Sequence, residues 1–236
     1  MEWGAKFGCN ASSSAFNHSI GVLRSLFEIG IEAGARYDNP ARHLKRASER
    51  PKTLQLPEPE QFREFVDAIE GAGGGFSRPC ANLVRFLAYG GFRKSEAGHV
   101  TWSDVDFDKG EILVRGDPET GTKNWTIRRV PMIPEMVALL KQLRSERAHE
   151  ASSAPVMEVR ECQKAMDRAA KLVGMPRITH HDLRHLFATR CIEAGVDIPT
   201  VSRWLGHKDG GALAMRTYGH LRDEHSVNMA KKVTFG

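Results

Sequence analysis

Cysteine is scarce in this sequence, and its four residues, Cys9, Cys80, Cys162 and Cys191, lie far apart with no CxxC pair among them. Zinc-site and redox-motif readings therefore lack their usual spacing. Buried free thiols in a reducing cytosol are the simplest account of all four. Missing too is a basic-then-apolar leader: the chain opens Met1-Glu2-Trp3-Gly4. No apolar run approaches the ~20 residues that a membrane-spanning helix needs. These absences predict a cytoplasmic protein with no membrane partner. The absence of an internal repeat or a low-complexity tract removes solenoid and disordered-tail readings.

What is present describes an ordinary globular chain. Of its 236 residues, 41% are hydrophobic and 27% charged. The formal net charge is +5, a moderate basic excess that suits a phosphate-rich partner without requiring one.

The hydrophobic pattern separates a short first segment from a longer second one. The serine cluster Ser12-Ser13-Ser14 offers an N-cap. Phe16, Ile20, Leu23 and Phe27 then recur at helical spacing, with Gly34 as a stop. Asn39-Pro40 opens a second short helix, predicted over Ala41 to Ala47. Pro51 to Pro59 reads as a linker. Two helices make a poor core by themselves, so residues 1–56 are expected to be part of something larger, and residues 57–236 the main domain. In that domain Phe62, Phe65, Val66 and Ile69 mark one amphipathic helix. A second runs from about Arg78 to Tyr89 and breaks at Gly90-Gly91. Three short strands are predicted over Val105 to Phe107, Glu111 to Arg115 and Trp125 to Val130, with Asp108-Lys109-Gly110 as the first turn. Beyond Pro134 the chain reads as helical throughout, with Gly174, Gly195 and Gly206 as helix ends.

Five places invite a chemical reading, and each has a plain one. Arg93, just past the glycine break, is on its own a surface arginine at a helix start. Lys123, in Gly121-Thr122-Lys123-Asn124, is a solvated turn lysine, and Lys109 in the preceding turn is a weaker candidate for the same role. His181 and Arg184 are three apart and share a helical face. His181 and His185 are four apart, a helical metal-ligand spacing, but the glutamate of HExxH and a third ligand are lacking. His207, after Leu205-Gly206, suits a helix C-cap. Tyr218, in Met215-Arg216-Thr217-Tyr218, taken alone is a half-buried packing residue.

In order, however, these pieces resemble one family. Gly-Phe-Arg-Lys-Ser-Glu, a hairpin lysine, His-x-x-Arg-His, Leu-Gly-His and Thr-Tyr follow the pattern of the tyrosine recombinases, also called phage integrases. The likeness extends through Glu96 to Asp106, Arg129 to Pro134, His181 to Thr189 and Gly195 to His207, and covers roughly residues 58–222. It implies a mainly helical catalytic domain with a small three-stranded antiparallel sheet, as in the DNA breaking-rejoining enzymes. It implies an active-site set of Arg93, Lys123, His181, Arg184, His207 and Tyr218, none of the six substituted. The N-terminal helices resemble the last part of the family's core-binding domain.

The implied activity is site-specific DNA recombination through a 3′-phosphotyrosine, with no cofactor, metal or ATP. The implied partners are double-stranded DNA and further protomers in a tetrameric synapse, in the cytoplasm at the nucleoid. The residue types suit that chemistry. Arginine stays protonated and grips phosphate oxygens in a fork. A lysine beside two arginines has a depressed pKa and yields its proton to a leaving oxygen more readily. His181 would take or return the tyrosine proton, and His207 would donate a hydrogen bond to the phosphate. Glu96 and Asp182 read as structural, Glu96 holding Arg93 or a helix end and Asp182 capping the His181 helix. Two other functions fit the same residues. One is nicking and relaxation in the manner of a type IB topoisomerase, and the other is a non-catalytic DNA-binding relic.

Overall fold

A computed structural model describes residues 11–48, 55–115 and 127–207. Lys123 and Tyr218 lie outside the described residues, as does most of the loop between the second and third strands. The chain divides into two compact units, residues 1–53 and 54–236. No helix among the described residues is long and apolar enough to cross a membrane.

The first unit is built on helix α1 (Ser13–Glu32). Ser12 caps it, its hydroxyl accepting from the Ala15 N–H at 3.2 Å. Gly34 follows the helix at a φ of 69°, as its sequence position suggested. The predicted second helix is absent: residues 40–43 form a turn, and 44–48 are irregular. Side chains from α1 take over the backbone groups that a helix would have paired. Arg24 donates to the carbonyls of Ala41, Arg42 and Leu44. Asn17 exchanges two hydrogen bonds with the backbone of Ala47. The Asn39 side chain accepts from Ala41 N–H at 3.0 Å, a local bond that competes with helix formation. Ile20 is fully buried on α1, whereas Phe16, Leu23 and Phe27 are half-buried. The exposed apolar side chains are Val22, Leu26 and Ile29, on a neighbouring stripe.

The second unit is mainly helical with one three-stranded antiparallel sheet. Helix α2 (Pro59–Glu70) starts on a proline, whose missing N–H costs nothing there. Helix α3 (Ser77–Gly90) packs against α2, α5 (Pro134–Glu146) and α7 (His180–Glu193). It is therefore buried on several sides, with Leu83, Val84, Phe86 and Leu87 wholly inside. Each such side chain contributes about 1.5–3 kcal/mol of burial energy. A smaller apolar cluster of Phe187, Cys191, Ile198, Val201 and Leu205 fastens α8 (Ile198–Leu205) to α7. Helix α6 (Gln163–Leu172) packs on α2.

The sheet has the order β1-β2-β3, with β1 Val105–Asp106, β2 Glu111–Val114 and β3 Arg128–Pro131. All three strands are shorter than or offset from the predicted ones. The Asp106 carboxylate accepts from Lys109 N–H, so the first turn begins before Phe107. Pro131 ends β3 opposite Glu111, which an edge strand tolerates. The expectation of a wholly helical region after Pro134 fails over residues 147–162. There Arg147 donates to the carbonyls of Pro155 and Val156 and to Glu150, holding an irregular loop together. Cys80, Cys162 and Cys191 are buried free thiols. Burial pushes Cys162 and Cys191 up to about 12, which leaves them unreactive.

Candidate active site

The glycine break after α3 places the first candidate. Gly91 is left-handed at a φ of 62° and closes the helix with its N–H on the Leu87 carbonyl. A Cβ there would stand 2.4 Å from a Phe187 ring carbon, so no other residue fits. Phe92 then plugs the core against Phe86, ring centroids 4.7 Å apart. Arg93 follows at the N-cap of the short helix α4 (Lys94–Ala97). Its side chain is 37% exposed, so it is anchored yet reachable.

Glu96 does the anchoring. One carboxylate oxygen accepts from the Arg93 guanidinium at 2.7 Å, and the other from the Arg93 backbone N–H at 2.8 Å. The expectation that Glu96 holds the arginine or a helix end is met in both senses. Burial of the carboxyl, 2% exposed, would raise its pKa. Hydrogen bonds and charge from Arg128, with lesser ones from Arg93, overcome that and hold it at about 2.

Helix α7 places the second pair. Thr179 and Asp182 form a reciprocal cap, with the Thr179 N–H on the Asp182 carboxylate at 2.7 Å. That confirms Asp182 as a cap residue. His180 turns toward Cys162, its Nε2 3.3 Å from the sulfur, and is a packing residue. His181 lies 4.6 Å from the His185 ring, edge to face. Burial, and then the Arg184 charge, lower His181 below its ordinary pKa, with Arg93 adding to the effect. Burial and the neighbouring His181 push His185 down to about 4. Both imidazoles are therefore neutral at pH 7.

Arg184 joins the parts. It is 3% exposed and donates to the Gly91 carbonyl at 2.7 Å and to the Leu205 carbonyl. It also meets His207 Nε2 at 3.2 Å. Arginine can only donate, so Nε2 accepts in this contact, which places the proton of a neutral His207 on Nδ1. His207 sits one residue past the left-handed Gly206 that ends α8. Arg93, His181, Arg184 and His207 thus converge from three places in the chain: the start of α4, one face of α7 and the residue after the α8 cap. Two guanidinium groups and two imidazoles in one neighbourhood suit an anion that exchanges protons.

One contributor was missed in the sequence. Arg128, on β3, is 8% exposed and grips both Glu96 oxygens, at 2.9 and 2.7 Å. Its Nε also donates to the Trp204 carbonyl at 2.7 Å, near the end of α8. A signal existed. Val130 is a buried strand residue, and Arg128 two residues earlier shares its face. An arginine on an inward face needs a buried partner. Among the described residues, no three His, Cys, Asp or Glu side chains are grouped to hold a metal ion.

Known proteins share this fold. Solved structures with the same fold include the Tn1549 transposon integrase in complex with a circular intermediate DNA. It has a TM-score of 0.75 and 19% identity, covering 98% of this chain and 84% of that one. Another is the XerH site-specific recombinase bound to palindromic difH substrate, with a TM-score of 0.72 and 19% identity, covering 98% of this chain and 70% of that one. Residues 57–225 match the model of the phage integrase family, and the chain belongs to that family. Among curated relatives, Tyrosine recombinase XerA of Thermococcus onnurineus is 31% identical over 218 residues, covering 84% of this chain and 68% of the relative. Tyrosine recombinase XerC of Corynebacterium glutamicum is 28% identical over 196 residues, covering 76% of this chain. This chain spans only 60% of that relative's length.

Proposed function

We propose that residues 57–236 are the catalytic domain of a site-specific DNA recombinase, and that residues 1–56 are the end of a helical DNA-gripping segment. The observation that carries this reading is the Arg184 junction, where one buried guanidinium ties Gly91, Leu205 and His207 together beside Arg93 and His181. The tyrosine recombinase names of the relatives support it, as do the DNA complexes formed by proteins of the same fold.

The proposed reaction is a transesterification. The Tyr218 oxygen attacks a backbone phosphorus, and the bond from phosphorus to the 5′ oxygen breaks. The products are a 3′-phosphotyrosine and a free 5′-hydroxyl. A hydroxyl from another strand reverses the step, so the bond energy is kept. Tyrosine titrates near pH 10, and forming the full phenolate at pH 7 costs about 4 kcal/mol. His181, neutral at that pH, accepts the phenolic proton and lowers the cost. Arg93 and Arg184 hold the charge growing on the non-bridging oxygens. Lys123 protonates the departing 5′ oxygen. For His207 to donate to the phosphate from Nε2, its contact with Arg184 must open and its proton must move to that nitrogen. The proposed partners are duplex DNA and further protomers assembled on it as a tetramer, in the cytoplasm at the nucleoid.

A nicked suicide duplex carrying the site tests the reading. Wild type should form a protein–DNA adduct that survives denaturation, and Tyr218→Phe should bind the duplex yet form none. An undiminished adduct in the variant contradicts the mechanism.

A further inference from the structure

We propose that Arg128 is a positioning residue for Arg93, acting through Glu96. The inference rests on the assignment of Arg93 to the reacting phosphate. A buried carboxylate beside Arg93 creates an electrostatic difficulty. Glu96 fixes the guanidinium in place, but its negative charge also cancels the positive charge that an incoming phosphate needs. Arg128 removes the difficulty. Its fork takes both oxygens of Glu96, at 2.9 and 2.7 Å, while Arg93 takes one of them, at 2.7 Å. Arg128 and Glu96, 8% and 2% exposed, together make a neutral buried pair. Arg93, at 37% exposure, keeps its charge for the anion. A bidentate grip also fixes the plane of the carboxylate, and so the direction in which Glu96 points Arg93.

The surroundings of Arg128 fit a part held to a set position. Its Nε donates to the Trp204 carbonyl, and its side chain lies under Gly206, where a Cβ would approach it to 3.1 Å. Arg184 takes the adjacent Leu205 carbonyl. Two arginines from β3 and α7 thus secure consecutive carbonyls of α8 just before His207. Arg128 lies in β3, five residues after Lys123 in the sequence, so a buried ion pair links the strand after the lysine loop to the first arginine of the site.

Single-turnover cleavage of the suicide duplex by the whole chain is the first readout. Arg128→Gln should slow it by about 100-fold or more, the lower end of the range for losing one charge-stabilising group, with duplex affinity changed much less. Adding Glu96→Gln removes the unpaired negative charge and should restore about a tenfold part of that loss, since the surviving amide oxygen still accepts from Arg93. A double variant no faster than Arg128→Gln overturns the inference, because a purely packing role predicts no rescue. The second readout does not depend on cleavage. The Arg93 Nε–H resonance should shift in Arg128→Gln, or in Arg128→Lys if the first variant does not fold, and should stay in place in Arg78→Gln, which breaks an exposed ion pair elsewhere. An unmoved Arg93 signal overturns the inference whether or not the protein cleaves. A wild-type chain that forms no adduct, with the Arg93 shift intact, contradicts the recombinase reading and leaves the Arg128 role standing.

Discussion

Arg184 and Arg93 carry the same charge in different settings, and substitution should separate them. Arg184→Lys keeps a cation but loses the fork that reaches Gly91 and Leu205. It should slow cleavage, raising the barrier by about 2–4 kcal/mol, and also lower thermal stability. Arg93→Lys should slow cleavage comparably and leave stability nearly unchanged, since Arg93 is partly exposed. Rates within a factor of about two of wild type for both variants exclude them from the reacting centre. The histidines set the pH behaviour. His180, His181 and His185 all have lowered pKa values, each chiefly through burial. The unfolded state therefore binds more protons than the folded one below about pH 6.5. Stability from these groups is fully present above that pH and is lost as pH falls toward the folded value, about 4 for His185. Glu96 adds a loss of the same sign between its ordinary value of 4.5 and about 2. Melting temperatures recorded from pH 8 to pH 5 should fall, and His185→Gln should fall less. Equal slopes for the two proteins contradict the placement of His185.

At the scale of elements, the site depends on how α3, α7 and α8 end or begin. Gly91→Ala forces a Cβ into Phe187 at a left-handed position. It should destabilise by about 2–5 kcal/mol, from backbone strain and overpacking together. It should also reduce cleavage, because the Gly91 carbonyl that anchors Arg184 must move. A urea melt within about 0.5 kcal/mol of wild type contradicts this, that being the range of neutral surface changes. Much of this level was legible in the sequence, where the cause is local. Gly91 and Gly206 read as helix ends and are the left-handed caps. Asp182 read as a cap because capping needs only a three-residue spacing. Failures came where distant side chains decide backbone structure. The 41–47 helix was lost to Arg24 and Asn17 of α1, and the loop 147–162 is shaped by Arg147. Arg128 was invisible as a partner of Glu96 for the same reason, since 32 residues separate them. Four of the six candidate positions, Arg93, His181, Arg184 and His207, lie among the described residues, and the order of motifs names them where local spacing alone does not.

At the scale of the whole chain, the division into units 1–53 and 54–236 falls in the proline-containing stretch that reads as a linker. The first unit presents Val22, Leu26 and Ile29 on an exposed stripe of α1, and Arg24 and Asn17 hold its returning segment. The second unit carries the family match and every described member of the candidate site. The recombinase mechanism stands or falls on one atom, the phenolic oxygen of Tyr218. The chain has three tyrosines, Tyr37, Tyr89 and Tyr218. Tyr89 is half-buried with its pKa raised by burial, and so is poorly suited to attack. The decisive measurement is to trap the adduct on a nicked duplex, digest protein and DNA, and locate the nucleotide by mass spectrometry. The mechanism predicts one modified peptide, carrying a 3′-linked nucleotide on Tyr218, with a free 5′-hydroxyl on the released strand. A nucleotide on Tyr37, Tyr89 or another residue, or a 5′-phosphate linkage, contradicts it.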